Sequence, residues 1–274
     1  MKNKPTPTPD RVHSWEVSIA QARAIQEDLR RHWEGKDRFR KIRTIAGLDA
    51  SFIVTGSQAL KPANPRLLLR RANRAIGCVV IYRYPEMEEI GRSVAVLPLT
   101  FPYVPGLLSF REIPVLLAAL AKLDTLPDLL FCDGQGYAHP RRMGLATHMG
   151  ILLGRPTIGC AKSLLIGSHG PLAQEAGSWT ALADAKANDE RIGAAVRTRS
   201  GVQPVFVSRG HRISLTSAIQ WTLRVADGFR IPRPTRDADR LAGETKRKLL
   251  GTMHPKIESR VAKFQDGPVP PQPV

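Results

Sequence analysis

No apolar run in this chain of 274 residues approaches the roughly 20 residues that a membrane-spanning helix needs. No segment has the pattern of a secretory signal peptide, and no internal repeat is visible. The helical faces lack the sustained heptads of a coiled coil. These absences argue against a membrane partner, and we expect a cytoplasmic monomer.

Cysteine is scarce, and its three occurrences share one kind of context. Cys78, Cys132 and Cys160 each lie in an apolar, strand-like segment, and none has metal-ligand spacing. Three cysteines cannot all pair with one another. We predict three buried, reduced thiols.

Acidic residues are a minority, with 24 against 41 basic residues and a net charge of +17. Such a charge repels itself in a compact protein unless a polyanion is the partner, and nucleic acid is the leading candidate. We predict one domain over residues 13–250, with a basic loop insertion at 56–74. Proline-rich tails at 1–12 and 251–274 are predicted to be disordered.

The first half of the chain predicts one helix and a β-meander. Ser14 is placed to cap a helix whose apolar residues recur at helical spacing as far as Trp33. Three β-rich runs follow at residues 44–52, 75–84 and 93–97, and they could pair in antiparallel fashion.

Strands and helices then alternate. The predicted elements are a helix near 107–120, a strand at 128–133, a helix at 144–153, a strand at 157–160, a hairpin of 191–198 with 203–208, and helices capped by Ser214 and Thr235 that run to 225 and 249. This order attaches parallel strands to the meander. The expected fold class is α/β, a ribonuclease-H-like mixed sheet flanked by helices.

The segment FCDGQGYAHPR (131–141) carries the most chemistry. An apolar strand in this segment leads directly to Asp133, at the strand end where ligands bind in α/β sheets. Glycines follow that let backbone pass close to a bound group. We expect His139, Arg141 and Arg142 to place positive charge beside this acid, where it could bind a phosphate.

A second carboxylate, Asp49, interrupts an apolar strand. An edge-strand aspartate facing water is the simple alternative, and an aspartate before glycine, as at Asp133, is ordinary turn chemistry. Taken together, the two would be neighbours in the proposed sheet and would suit Mg²⁺, or Mn²⁺ as a substitute. Glu112 could join them from a helix start, although alone it would pass for a solvated helix face.

Four segments, IAGLDASF (45–52), FPYVPGLLSFRE (101–112), DGQGYAHPR (133–141) and PTIGCAKS (156–163), together resemble the motifs of the endonuclease V family in the same order. The similarity runs from the first helix to about residue 236, without the tails and the basic loop. It implies a ribonuclease-H-like fold and Mg²⁺-dependent nicking of deoxyinosine-containing strands at the second phosphodiester bond on the 3′ side of the lesion.

The resemblance also implies roles for single residues. Asp49 and Asp133 match the metal-binding aspartates, and Glu112 matches the active-site glutamate. Asp239 falls where the family has a histidine or aspartate near the metal, and the ammonium of Lys162 could reach the scissile phosphate. Neither His139 nor His148 has ligand spacing, so we expect phosphate contacts or structural hydrogen bonds from them.

The same resemblance implies how the lesion is read. Pro102, Tyr103, Val104 and Pro105 match a wedge that fills the gap left by a displaced base, with Tyr103 stacking; a loop that anchors Tyr103 in the core would look the same. Backbone groups of Gly134 and Gly136, beside Leu108, are expected to recognise hypoxanthine, with His139 near the site.

Two departures from the family pattern, the long loop at 56–74 and Arg209 where proline is common, put substrate preference in doubt. An inosine-specific endoribonuclease remains open, because the carboxylates would be the same. So do a catalytically silent, basic nucleic-acid-binding module and another ribonuclease-H-like nuclease such as a junction resolvase.

Overall fold

The computed structural model describes residues 12–55 and 70–253. The predictions for both tails and for most of the basic loop fall on residues 1–11, 56–69 and 254–274, outside the described residues. In chain order the elements are α1 Ile19–Arg30, β1 Thr44–Ile53, β2 Arg74–Arg83, β3 Glu88–Pro98, α2 Ser109–Leu120, β4 Leu129–Cys132, α3 Leu145–Leu153, β5 Thr157–Ala161, β6 Ser168–His169, β7 Trp179–Asp184, a short 3₁₀ turn Ala185–Ala187, β8 Glu190–Val196, β9 Val205–Arg209, α4 Leu215–Arg224 and α5 Arg233–Met253.

The strands form one mixed sheet in the order β3-β2-β1-β4-β5-β9-β8-β7-β6. The first three strands are an antiparallel meander, and β4 and β5 add to β1 in parallel. The remaining pairs are antiparallel, including the predicted hairpin of β8 and β9. This arrangement confirms the predicted fold class.

Helices cover both faces of the sheet, because the central strands are apolar on both sides. Helices α2 and α3 pack on one face with Leu48, Val79 and Leu130. Helices α4 and α5 cover the other face in two adjoining clusters. The three cysteines are free and buried within these cores, as predicted. None of the described helices is long and apolar enough to cross a bilayer.

A glycine in the central strand sets how closely α5 approaches the sheet. A Cβ atom on Gly47 would lie 1.8 Å from the carbonyl oxygen of Pro234, in the first turn of α5. Only a residue without a side chain permits this backbone contact. The close approach brings the first turns of α5, which carry Asp239, over β1, which carries Asp49.

Two helix starts differ from the sequence prediction. Helix α1 is capped by Ser18, in a reciprocal capping box with Gln21, and ends at Arg30, so Ser14 is not its cap. Helix α5 begins at Arg233, and Thr235 lies inside it with its hydroxyl donating to the carbonyl of Pro232. The cap of α1 follows the local Ser-x-x-Gln pattern of residues 18–21, whereas Thr235 lies two residues inside its helix.

Strands β6 and β7 were not predicted. Strand β6 has two residues, and in β7 only Leu182 is buried, so neither shows the strict alternation that identifies a strand. Strand β7 pairs with β8 and β6 pairs with β7, which extends the sheet at its far edge.

We expect Gly47→Ala to lower the free energy of unfolding by about 1–3 kcal/mol, because α5 must move off β1 to admit the methyl group. Chemical denaturation followed by circular dichroism measures this change. Gly91→Ala is the matched control, since the nearest atom to its Cβ would be Ile81 Cδ1 at 3.9 Å. Equal stability of the two variants would contradict the packing argument.

Candidate active site

The two aspartates of the predicted metal site meet through strand register. Strands β1 and β4 pair in parallel with Leu48 beside Cys132, so Asp49 and Asp133 are the next residues on neighbouring strands. The amide of Asp133 donates to the carbonyl of Leu48 at 3.0 Å. Asp49 is only 8% exposed and lies between β2 and β4, so the alternative of an edge aspartate facing water is wrong.

Glu112 joins these two residues from the first turn of α2. Burial raises its pKa to about 8, and the negative charges of Asp49 and Asp133 act in the same direction, while Arg111 opposes them. A glutamate on a solvated helix face would not show this, so the simple alternative for Glu112 is also wrong.

The aspartates show the same electrostatic pattern. Burial raises the pKa of Asp49 to about 7, with further upward contributions from Asp133 and Asp239. The pKa of Asp133 is also raised, first by burial, although Lys162 pulls it down. Three carboxyl groups therefore compete for protons in one buried place, and a bound cation would relieve their repulsion.

Lys162 supplies part of the missing positive charge. Its ammonium lies 2.7 Å from Asp133 Oδ2 and 2.9 Å from Asp239 Oδ2, which joins the end of β5 to α5. Burial alone would lower the pKa of Lys162, but Asp133 and Asp239 raise it well above its usual range. Both carboxylates therefore favour the charged form of the lysine.

The donor set fits a hard divalent cation. Mg²⁺ is usually held by one or two carboxylates, with waters and substrate phosphates completing its shell, and Asp49 and Asp133 can supply the carboxylates. Within residues 12–55 and 70–253, no three His, Cys, Asp or Glu side chains are arranged as a complete metal cage. A site completed by substrate oxygens needs no such cage.

A cavity of about 410 Å³ opens beside the carboxylates. Its lining combines the wedge segment, the start of α2, the loop after β4 and the loop after β5: Tyr103, Pro105, Gly106, Leu108, Ser109, Glu112, Asp133, Gly134, Gln135, His139, Met143, Gly144, Leu145, Ala161, Lys162, Ser163, Leu164 and Leu165. The structure thus brings most of the predicted substrate residues to one cavity.

The other predicted substrate residues lie outside its lining. Pro102 is exposed, and Val104 packs against the small core that contains Phe101 and Phe110. Gly136 is turned away: its amide donates to Ser208 Oγ at 2.8 Å, and a Cβ there would lie 2.2 Å from the Arg209 carbonyl oxygen. The glycine at 136 therefore serves the packing of the loop on β9, and its amide has a partner.

Two side chains that were expected to offer positive charge to a phosphate beside Asp133 do not do so. Arg142 is buried and ion-paired with Asp184 at 2.8 Å and Glu190 at 2.7 Å. Burial lowers the pKa of His139 to about 4, so its ring is neutral at physiological pH. Neither residue is a free cation for phosphate, and that expectation is wrong for both.

His139 instead helps to hold the base of the wedge. The carbonyl of Gly106 receives hydrogen bonds from Gln26 Nε2 at 3.2 Å, His139 Nε2 at 3.1 Å and Arg141 Nη2 at 2.6 Å. His139 Nδ1 accepts from the amide of Arg141, which leaves the ring proton on Nε2. The residue directly after the wedge is thereby fixed to α1 and to the glycine loop.

His148 makes structural hydrogen bonds, which is one of the two roles expected for it. Its ring is fully buried, with Nε2 2.8 Å from His13 Nε2 and Nδ1 3.2 Å from Ser109 Oγ. Burial holds the pKa of His148 well below its usual range, so the ring is neutral.

Sequence reasoning missed three residues of the site. Leu164 and Leu165 line the cavity with unusually exposed apolar side chains and are separated from Lys162 by one serine. Arg230 donates from Nη2 to the carbonyl of Lys162 at 2.7 Å and so steadies the lysine. The two leucines could have been found from the apolar pair that follows a lysine at a strand end; no local signal pointed to Arg230.

Known proteins resemble this chain over most of its length. A family model described as Endonuclease V matches residues 27–240. Endonuclease V of Roseiflexus castenholzii is 45% identical over 236 residues, which cover 86% of this chain and 97% of that protein. Endonuclease V of a Nostoc species is 46% identical over 231 residues, which cover 84% and 96%.

Solved structures agree with the sequence comparison. Endonuclease V of Streptomyces avermitilis superposes with a TM-score of 0.74 at 36% identity and covers 86% of this chain and 96% of that one. Ciona intestinalis Endonuclease V, solved with a 24mer DNA containing an inosine followed by a ribo-adenosine, superposes with a TM-score of 0.68 at 27% identity and covers 84% and 98%.

We expect the free energy of unfolding of the metal-free protein to fall as the pH rises from about 6.5 to about 8, above the range in which the lowered pKa values of His139 and His148 act in the opposite direction. The folded state keeps protons on Asp49 and Glu112 that the unfolded chain has released, so it binds more protons over this interval and loses stability with rising pH. Urea titrations at several pH values measure the slope.

Glu112→Gln should flatten that slope and, at pH 8, exceed the parent in stability by more than about 1 kcal/mol, since one unfavourable ionisation is gone. Glu175→Gln, at an exposed loop position, should leave the slope unchanged. The same slope in the parent and the Glu112 variant would contradict the buried-carboxylate argument.

Proposed function

This chain belongs to the endonuclease V family, and from that premise we propose that it nicks deoxyinosine-containing DNA at the second phosphodiester bond on the 3′ side of the lesion. The observation that carries the proposal is the juxtaposition of the Asp49, Glu112 and Asp133 carboxylates with a cavity of about 410 Å³. A neighbour in the family, from Ciona intestinalis, was solved with inosine-containing DNA. Repair of deaminated adenine by a cytoplasmic monomer is the setting that we propose.

The proposed cofactor is Mg²⁺, held by Asp49 and Asp133. Such a cation activates a water molecule and stabilises the charge that develops on a phosphodiester under attack. Because Lys162 stays protonated, its role is to place positive charge against the phosphate and not to take a proton. Asp239 orients the lysine ammonium through the 2.9 Å ion pair.

Glu112 lies where its ionisation depends on occupancy of the site. Without a cation its pKa of about 8 keeps it protonated at neutral pH. Positive charge near Asp49 and Asp133 would lower that pKa and release the carboxylate for binding or proton transfer. A cation held by Asp49 and Asp133 would therefore favour the ionised form of Glu112.

The cavity is suited to a base that has left the stack. Tyr103, Pro105 and Leu108 provide apolar contacts on the wedge side, and Leu164 and Leu165 provide them across the opening. Gly134 and Gln135 line the cavity, and backbone groups of this loop are proposed to form hydrogen bonds with a hypoxanthine edge. Extrusion costs least for a weakly paired base, which favours deaminated bases over normal ones.

Inosine-containing RNA is the second candidate substrate. The strands in the Ciona intestinalis complexes carry a ribo-adenosine directly after the inosine, so this family member was solved with a ribose at that position. The carboxylates would act alike on either sugar, and contacts to the 2′-OH would decide the preference. An intact set of Asp49, Glu112, Asp133 and Lys162 speaks against a silent binding module.

We expect the protein with Mg²⁺ to nick a DNA oligonucleotide carrying a single inosine one nucleotide beyond the lesion, and Asp133→Asn to reduce the rate at least roughly 100-fold through loss of a metal ligand. Denaturing gel electrophoresis of end-labelled strands measures both. Matched RNA strands in the same assay settle the sugar preference.

Asp189→Asn is the matched control, because Asp189 is exposed and has a φ of 55°, close to the 52° of its neighbour Asn188, a conformation that asparagine tolerates. Its nicking rate should equal that of the parent. Binding of the inosine strand without cleavage of DNA or RNA would contradict the proposed function and favour the silent module.

Substitutions of Tyr103 distinguish a wedge that stacks on bases from a loop that anchors the tyrosine in the core. The side chain is partly exposed at the cavity, so Tyr103→Ala should lower the nicking rate on duplex substrates by roughly tenfold or more through loss of stacking, and Tyr103→Phe should preserve it. Thermal unfolding of both variants is the accompanying measurement. A large loss of stability with unchanged activity would support the core-anchor alternative.

A further inference from the structure

An exposed aromatic side chain lies in the turn that precedes α5, the helix that carries Asp239 of the ion pair with Lys162. Phe229 is 50% exposed, in the turn between α4 and α5. Only one other phenylalanine or tryptophan in the described part of the chain, Trp179, is exposed to this degree, and it lies in β7, toward the far edge of the sheet. A half-exposed ring beside a catalytic cluster calls for an explanation.

The turn that carries Phe229 is firmly built. The Phe229 amide donates to the carbonyl of Ala226 at 3.1 Å, and the amide of Arg233 closes the turn on the carbonyl of Val225 at 2.8 Å. The guanidinium of Arg236 lies over the ring with Cζ 3.9 Å from its centroid. The ring is thus held from one side and leaves half of its surface open.

Direct contacts connect this ring to the catalytic cluster. Arg230, the next residue, donates to the carbonyl of Lys162 at 2.7 Å and also to the carbonyls of Gln203 and Pro204. Arg236 lies one helical turn before Asp239, whose carboxylate holds the Lys162 ammonium. The ring and the carboxylates therefore belong to one connected surface.

The charge around the ring favours a polyanion. Arg230 and Arg236 flank it, and Arg240 follows on α5 with a side chain that is 64% exposed. The acids nearby are Asp227, Asp237 and Asp239; Asp237 is buried among three arginines of α5, and Asp239 is paired with Lys162. An aromatic face bordered by guanidiniums is the combination that single-stranded nucleic acid binds, by stacking and by phosphate contact.

We propose that Phe229, steadied by Arg236, is a stacking platform for a base of the cleaved strand on the 3′ side of the cut, with Arg230 and Arg240 flanking that strand's phosphates. The direction along the strand rests on the proposed function: the lesion occupies the cavity, the cut bond lies at the carboxylates, and the strand leaves past Lys162 and Asp239. The platform itself is a binding surface for single-stranded nucleic acid and needs no cleavage to be detected.

Binding of labelled oligonucleotides without metal, followed by fluorescence anisotropy, tests the platform. One strand extends ten nucleotides beyond the inosine on its 3′ side, a second ends two nucleotides beyond it, and a third has the length of the first but no inosine. Phe229→Ala should weaken binding of both long strands by roughly 5- to 100-fold and leave the short strand unchanged, and Phe229→Trp should retain parental affinity.

Trp179→Ala, which removes an equally exposed aromatic side chain away from the site, should change none of these affinities. Equal weakening of long and short strands by Phe229→Ala, or no weakening at all, would overturn the platform. Weakened binding of the long inosine-free strand, in a parent protein that fails to cleave inosine strands, would overturn the proposed function and leave the platform standing.

Discussion

Burial disfavours negative charge on Asp49, Glu112 and Asp133, and the three lie close enough that Asp133 raises the pKa of Asp49 while both aspartates raise the pKa of Glu112. Much of the architecture holds this unfavourable arrangement together. The parallel pairing of β1 with β4 fixes the two aspartates side by side, and α2 delivers the glutamate. The apolar cores on both faces of the sheet supply the stability that offsets the repulsion.

That repulsion also explains why the surroundings are cationic. Lys162 neutralises Asp133 and Asp239 directly, and Arg230 holds the lysine in place through its backbone carbonyl. A nucleic acid strand is a large polyanion, and the net charge of +17 attracts it to a protein whose site is locally acidic. A divalent cation would allow the acidic site to bind the phosphates of the strand, because it is attracted by the carboxylates and by phosphate alike.

The segment directly after the wedge and the aromatic ring of Phe229 are each held by a guanidinium. Arg141 and two further donors hold the carbonyl of Gly106 directly after the wedge, while Arg236 covers one side of Phe229. Both elements are therefore pre-organised, which limits the entropy lost when a strand binds. Arginines read from the sequence as phosphate contacts thus serve also as internal supports.

Much of the site was readable from the chain. Asp49 within an apolar strand and Asp133 at a strand end could both be identified as site candidates from the sequence, because burial of charge is costly and strand ends meet at one edge of a sheet. The family resemblance added Glu112, Lys162 and Asp239. Local sequence determined these groups and most helices and strands, since periodicity and strand-end position are properties of neighbouring residues.

Other features were decided only by the tertiary structure. Arg142 is used by Asp184 and Glu190, and Gly136 packs on β9, because partners distant in the chain complete each arrangement. Whether a cation is free for phosphate depends on which acids fold beside it, and that is a property of the assembled sheet. The sequence by itself determined the chemical groups and their elements; the packing of those elements decided which groups remain available to a substrate.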